Sequence, residues 1–349
     1  MAANAQRNLT LALQGGGTHG AFTWGVLDRL LEDPRINITA ISGTSAGAMN
    51  AAVLVDGLQE NGREGAREHL HAFWATMSRY GSFSPFGALA RHGSGLSPWT
   101  LWLETLSRMA SPYDVNPFNV DPLRRVLERT IDFSRLRCCS SVQLFISATN
   151  VQRGTLRVFT TDEISADVLL ASACLPRIHH AVKIGDQHYW DGGFMGNPVL
   201  EPLLTGCDAS DVLIVQINPT HRERLPRSAD AIEDRLNEIT FNASLMREIR
   251  SIAHLNRLVE EGWADPGHLS RVFLHLVGAE EATSGLGHRS KLDTSWRFLT
   301  RLRDAGRDKA EAFLAEHFDA LGHESTLALE PWRTRYALPE RGGAPRGPA

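Results

Sequence analysis

The chain has 349 residues; its 42% hydrophobic and 22% charged content suits an ordinary globular protein and excludes a mainly disordered one. Lys and Arg total 36 against 40 Asp and Glu, a formal charge of −4 that lacks the basic surplus nucleic acid binding needs. No stretch approaches the roughly 18 apolar residues of a membrane span, and the opening MAANAQRNLT has no apolar run, so no signal peptide is expected.

In chain order, Leu9–Leu13 is a short apolar run that ends in Gly15, Gly16 and Gly17. A helical period follows from Thr18 to Glu32, with Phe22, Val26, Leu27, Leu30 and Leu31 on one face and Pro34 as the stop. Ile36, Ile38, Ala40 and Ile41 make a second strand reaching Gly43, and a helix runs on through Ala48, Met49, Ala52, Val53 and Val55. Such alternation favours a parallel sheet covered by helices. Further strands are predicted at Val142–Ala148, Leu156–Phe159, Val212–Ile217 and Val272–Val277, and helices at Ser165–Leu175 and about 228–262. Two amphipathic helices are predicted within 293–321, around Trp296, Leu299 and Leu302 and around Phe313, Leu314 and Phe318.

Residues 73–118 hold nine aromatics, about three times the density of the whole chain. Four prolines break the stretch into short pieces. It reads as an insertion, either a hydrophobic cluster under a long loop or a lid and apolar channel wall. The four cysteines (Cys138, Cys139, Cys174 and Cys207) have no Cys-x-x-Cys spacing, so neither disulfides nor a zinc site is expected. A reducing, cytoplasmic setting follows.

Three short motifs carry chemistry. Gly15–Gly20 fits G-x-G-x-x-G between a strand and a helix, but the second strand ends in Ser42-Gly43 without the acid a dinucleotide site needs. No Gly-Lys-Ser/Thr follows, so a phosphate-binding P-loop fails as well. What remains is a set of backbone N–H groups at a helix N-terminus, suited to an oxyanion, or simply a tight turn. Gly43-Thr44-Ser45-Ala46-Gly47 fits G-x-S-x-G, again between strand and helix, the context of a nucleophile elbow. Alone, Ser45 could equally be a helix N-cap. Asp191-Gly192-Gly193 alone is a turn. Together they make an oxyanion loop, a nucleophile and a later acid, a complete set for acyl transfer.

With these motifs, and with Ala171-Ser172-Ala173-Cys174-Leu175-Pro176 ahead of the acid, the chain resembles the patatin-like phospholipases over roughly residues 9–220. The resemblance implies an α/β three-layer sandwich with a mainly parallel central sheet. It implies a serine lipid acyl hydrolase using a Ser–Asp dyad, with Ser45 as nucleophile, Asp191 as general base and the backbone of Gly15, Gly16 and Gly17 as oxyanion hole. Gly20, Gly43, Gly47, Gly192 and Gly193 complete the motifs. No metal or cofactor is expected, and the substrate is a phospholipid or related acyl ester. Many relatives carry a basic residue after the three glycines, where this chain has Thr18-His19. His19 itself is read as a first-turn surface residue. His179 and His180 are read as loop residues, not metal ligands.

An aspartate with an ordinary pKa near 3.9 is a weak base for serine. Asp191 is therefore expected to be partly desolvated and close to Ser45, with burial under the aromatic segment raising its pKa. The alternatives are a Ser–His–Asp esterase on small esters or polyesters, and a catalytically silent lipid-binding module. For the triad, His221, His254, His268, His275 and His288 follow Asp191, none within a recognisable loop signature. The expected organisation is a catalytic domain over 9–278 with its aromatic insertion, a helical C-terminal extension over 279–339 and a disordered tail over 340–349. The near-neutral charge points to brief contact with a lipid surface over electrostatic anchoring.

Overall fold

The computed structural model describes residues 6–81, 111–117, 119–138, 141–205, 207, 210–263 and 271–329. Among them an eight-stranded sheet forms the middle layer. Its strands are β1 (Arg7–Leu13), β2 (Ile36–Gly43), β3 (Gln143–Asn150), β4 (Thr155–Thr160), β5 (Val182–Ile184), β6 (Gln187–Asp191), β7 (Asp211–Gln216) and β8 (Phe273–Gly278). The run β3-β2-β1-β7-β8 is parallel throughout. β4 and β6 pair antiparallel with β3, and β5 with β6.

Helices cover both faces. They include α1 (Gly20–Glu32), α2 (Ala46–Gly81), α3 (Pro122–Thr130), α4 (Ala166–Ser172), α5 (Ala229–Glu260) and α6 (Trp296–His317). Strand residues alternate between two cores, as the period of two demands. Leu9, Leu11, Leu13, Leu213 and Val215 join α1, α2 and α6 on one face. Ala12, Val212 and Ile214 join Leu245, Ile249 and Ile252 of α5 on the other. The three-layer α/β architecture expected from the motifs is the one observed.

The register of β3 brings the motifs together. β4 runs along one edge of β3, from Phe145 to Asn150. On the other edge β2 pairs only as far as Gly43 opposite Ile146. β6 then takes over that edge, with Asp191 opposite Ala148. The chain leaves β2 into Ser45 where β6 delivers Asp191. Neither β5 nor β6 is marked in the sequence, because stretches of three and five residues are too short to display a period.

Residues 293–321 form one long helix and a short 3-10 turn, not two helices. Gly306 does not break α6; its missing side chain is used for packing. A Cβ there would collide with the Phe22 carbonyl, and one on Gly25 with the Arg303 carbonyl. Arg307 of α6 pairs with Asp28 and Glu32 of α1, and Arg67 of α2 reaches the same two acids at 2.9 and 2.8 Å. The C-terminal helix is thus a full member of one layer.

Phe73 and Trp74 lie on α2 and are 1% and 2% exposed, so they belong to the core. The Trp74 indole donates to buried Asn50 at 3.0 Å. Phe83, Phe86, Trp99, Trp102 and Phe118 lie outside the described residues, as does the tail at 340–349.

Alanine is the better helix former, yet Gly306→Ala is expected to lower stability by roughly 1–3 kcal/mol through overpacking at the α1–α6 contact. Denaturant unfolding checks this; an unchanged or higher midpoint would refute the close-packing account.

Candidate active site

Ser45 has φ +53°, a left-handed backbone that is unusual for a residue with a side chain. Its neighbours hold the turn. The Ser45 N–H donates to Ser172 Oγ at 2.8 Å, and the Gly47 N–H to the Thr44 carbonyl at 2.8 Å. The Thr44 and Ser147 hydroxyls share a hydrogen bond of 2.6 Å. α2 begins immediately beyond, so its positive end faces the serine.

Asp191 ends β6 and is 1% exposed. Its carboxylate accepts the Gly193 N–H at 2.7 Å, and the Ser45 side chain lies near enough to lower its pKa. Burial pushes its pKa up to about 7; the Gly193 N–H, the Ser45 hydroxyl and the charge of Lys291 pull the other way. Asp191 is thus a desolvated carboxyl at the end of β6. Gly192 and Gly193 fit where side chains would strike Ser147 and Phe241.

Ala171–Pro176 grips both groups. Ser172 accepts from the Ser45 N–H, and the Cys174 carbonyl accepts from the Asp191 N–H at 2.8 Å. Burial of the Cys174 thiol pushes its pKa up to about 12, which keeps it protonated and chemically quiet.

The glycine loop lies directly on the elbow. A Cβ on Gly15 would come within 2.8 Å of Ser45 Cβ, and the Gly15 N–H is already held by Asn197 Oδ1 at 2.7 Å. Gly16 is half-buried and Gly17 exposed, so these are the loop positions open to a ligand. Gly17 has φ +61°, and the Lys291 carbonyl would sit 2.5 Å from any Cβ placed there.

His19 is 3% exposed, so it is not a surface residue. Its Nε2 meets Ser290 Oγ at 2.8 Å, and the Thr18 hydroxyl donates to the Ser290 carbonyl at 2.9 Å. This pair fastens the C-terminal segment to the loop. Of the later histidines, His221 and His254 are exposed, whereas His275 is buried against Asp211 and Thr326 near the start of β7 and β8, far from the strand ends that carry Ser45. His268 and the His288 side chain lie outside the described residues. His180 meets the Pro112 carbonyl and stacks on Tyr113. No group of three or more His, Cys, Asp or Glu among the described residues could hold a metal.

Sequence reasoning missed Ser172, Asn197, Asn218 and Lys291. Ser172 stood inside a noted motif without a role. The others carry no spacing signal, because their meaning arises only when distant segments meet.

Ser45 at its strand–helix elbow, the glycine loop and Asp191 thus meet at one end of a three-layer α/β sheet. The patatin-like phospholipase model matches residues 11–204, more than half of the chain, and the chain belongs to that family. No curated protein matches it. Among solved structures it is similar to VipD from Legionella pneumophila, at 15% identity and TM-score 0.38, over 86% of this chain and 67% of that one. It is also similar to a chain in the complex of full-length SpcU with full-length ExoU from the type III secretion system of Pseudomonas aeruginosa, at 15% identity and TM-score 0.30, over 88% and 53%. In the second structure of ExoU–SpcU the values are 16% and 0.31, over 90% and 61%. The chain thus spans between about half and two thirds of these matches. Among the described residues no helix is long and apolar enough to cross a membrane.

Ser172→Ala leaves the Ser45 N–H without its acceptor and is expected to cost about 1–3 kcal/mol. Denaturant unfolding reads the loss; wild-type stability would show that the serine does not hold the elbow.

Proposed function

We propose that this chain hydrolyses carboxylic esters of lipids, phospholipids among them, through a Ser45–Asp191 dyad and an acyl-enzyme. The observation that carries the reading is the buried Asp191 carboxylate beside the Ser45 elbow, which burial pushes up to a pKa of about 7 and the Ser45 side chain pulls back down. Ser45 Oγ attacks the ester carbonyl while its proton passes to Asp191. The tetrahedral oxyanion is met by the N–H groups of Gly16 and Gly17, Gly15 serving as the bare backbone that lets the loop approach. The leaving alcohol takes the proton from Asp191. Water then attacks the acyl-enzyme, its proton passes through Asp191 back to Ser45, and the fatty acid leaves. The sequence's near-neutral charge supports brief contact with a lipid surface.

Ser45→Ala is expected to abolish both p-nitrophenyl acyl ester turnover and fluorophosphonate labelling. Asp191→Asn should lower turnover by at least about a hundredfold. Ser45→Ala with wild-type turnover would reject the nucleophile. An active Asp191→Asn together with an inactive single histidine variant would favour a triad. Phospholipid vesicles assayed beside a chain-length series of soluble esters test the substrate: preference for short soluble esters would remove the lipid assignment and leave the hydrolase.

Asp191 acts as a base only when ionised. With a pKa of about 7, kcat/KM should therefore rise with pH through that value and level off above it. A profile already flat at pH 5 would contradict Asp191 as the base.

A further inference from the structure

Lys291 lies on the 3-10 turn His288–Leu292, which Thr18 and His19 fasten to the glycine loop through Ser290. Its ammonium donates to Asn218 Oδ1 at 2.7 Å. The other end of the same amide, Asn218 Nδ2, donates to the Gly15 carbonyl at 2.9 Å. Asn218 is 1% exposed, and its backbone N–H is held by Gln14 Oε1 at 2.7 Å. Its amide orientation is fixed from both sides, since an ammonium only donates and a carbonyl only accepts.

The Gly15 carbonyl and the Gly16 N–H belong to one peptide group. A hydrogen bond to the carbonyl shifts electron density away from the nitrogen and strengthens the N–H as a donor. A cation at the head of the chain adds to that shift. We propose that Lys291, acting through the Asn218 amide, polarises the Gly15–Gly16 peptide so that the Gly16 N–H binds the oxyanion formed at Ser45 more strongly. Lys291 is then a positioning residue, supplied by a segment outside the 11–204 family match. The inference rests on the Ser45–Asp191 reading.

The charges around Lys291 are consistent with this role. Burial lowers the Lys291 pKa, with Arg222 adding to that, while the carboxylates of Glu238 and Asp234 on α5 and of Asp191 work to keep it charged. Lys291 in turn favours the ionised form of Asp191. Removing its charge must therefore move the acid limb of the rate profile to higher pH, which reports that the lysine is charged, while the relay itself is read from kcat on the plateau and from its dependence on Asn218.

The test is p-nitrophenyl ester kinetics against pH for wild type, S45A, K291M, K291R, N218A and K291M/N218A, with thermal unfolding alongside. K291M should lower kcat about tenfold, less than loss of a direct oxyanion donor costs. KM should stay within about twofold, and the acid limb should move up in pH. K291R should keep the limb in place and recover most of kcat. In the N218A background, K291M should cost kcat little more, because the relay is already cut. Wild-type kcat and limb position in K291M overturn the proposal, as do kcat losses that multiply in the double variant. If K291M does not fold, K291R decides: restored kcat with an unmoved limb supports the relay, and a folded but inactive K291R overturns it. An active S45A would remove the underlying dyad and this inference with it, whereas an inactive S45A beside an unaffected K291M sinks the relay alone.

Discussion

A left-handed Ser45 costs on the order of 1–3 kcal/mol in backbone strain, and the surrounding structure offsets it from several directions. Ser172 takes its N–H from the α4 side. The Gly15 backbone closes on it from the β1 side with no room for a methyl group. The start of α2 continues from it on the third side. The sheet makes this convergence affordable: β2 stops at Gly43, and β6 occupies the edge of β3 that β2 leaves. Shifting that register by one residue would turn Asp191 to the opposite face of the sheet.

The two kinds of information in the sequence differ in reach. Parallel strands such as β7 are readable because a strand buried on both faces must be apolar at every position, and Val212–Val215 are. The elbow and the glycine loop are readable because positive φ and close backbone approach demand particular small residues at fixed spacing. β6 is not readable, although it carries Asp191, because Gln187 to Asp191 mixes buried and half-buried polar and aromatic residues over one short stretch. His19 was misjudged because its partner, Ser290, is remote in sequence. Ser172, Asn197 and Asn218 are ordinary polar residues until tertiary contact gives them neighbours. Phe73 and Trp74, grouped by composition with an insertion, lie in the helical segment of α2 that follows its kink at Asn61 and Gly62.

The family match ends at residue 204, but the described site does not. Gln14 receives the N–H groups of Ile217 and Asn218 and donates to Asn242, so the strand before the glycine loop is locked to β7 and α5. Ser290 ties down Thr18 and His19. Gly25 and Gly306 let α6 lie against α1, the helix that the loop opens. The C-terminal third therefore shapes the glycine loop as well as covering the sheet.

The burial of Asp191 sets the proposed role of its carboxylate against durability. Unfolded, its carboxyl would ionise near 3.8; folded, it does so at about 7. A raised acid pKa means that the folded state holds its proton more tightly than the unfolded state, so the fold is favoured below the lower value and loses that advantage as pH climbs through the interval. The difference corresponds to roughly 4 kcal/mol, a substantial part of an ordinary domain's stability. A protein tuned for turnover in alkaline surroundings would therefore live closer to unfolding than one kept idle in acid. Variants selected only for heat resistance at high pH would neutralise this carboxyl first, and with it the base of the proposed dyad.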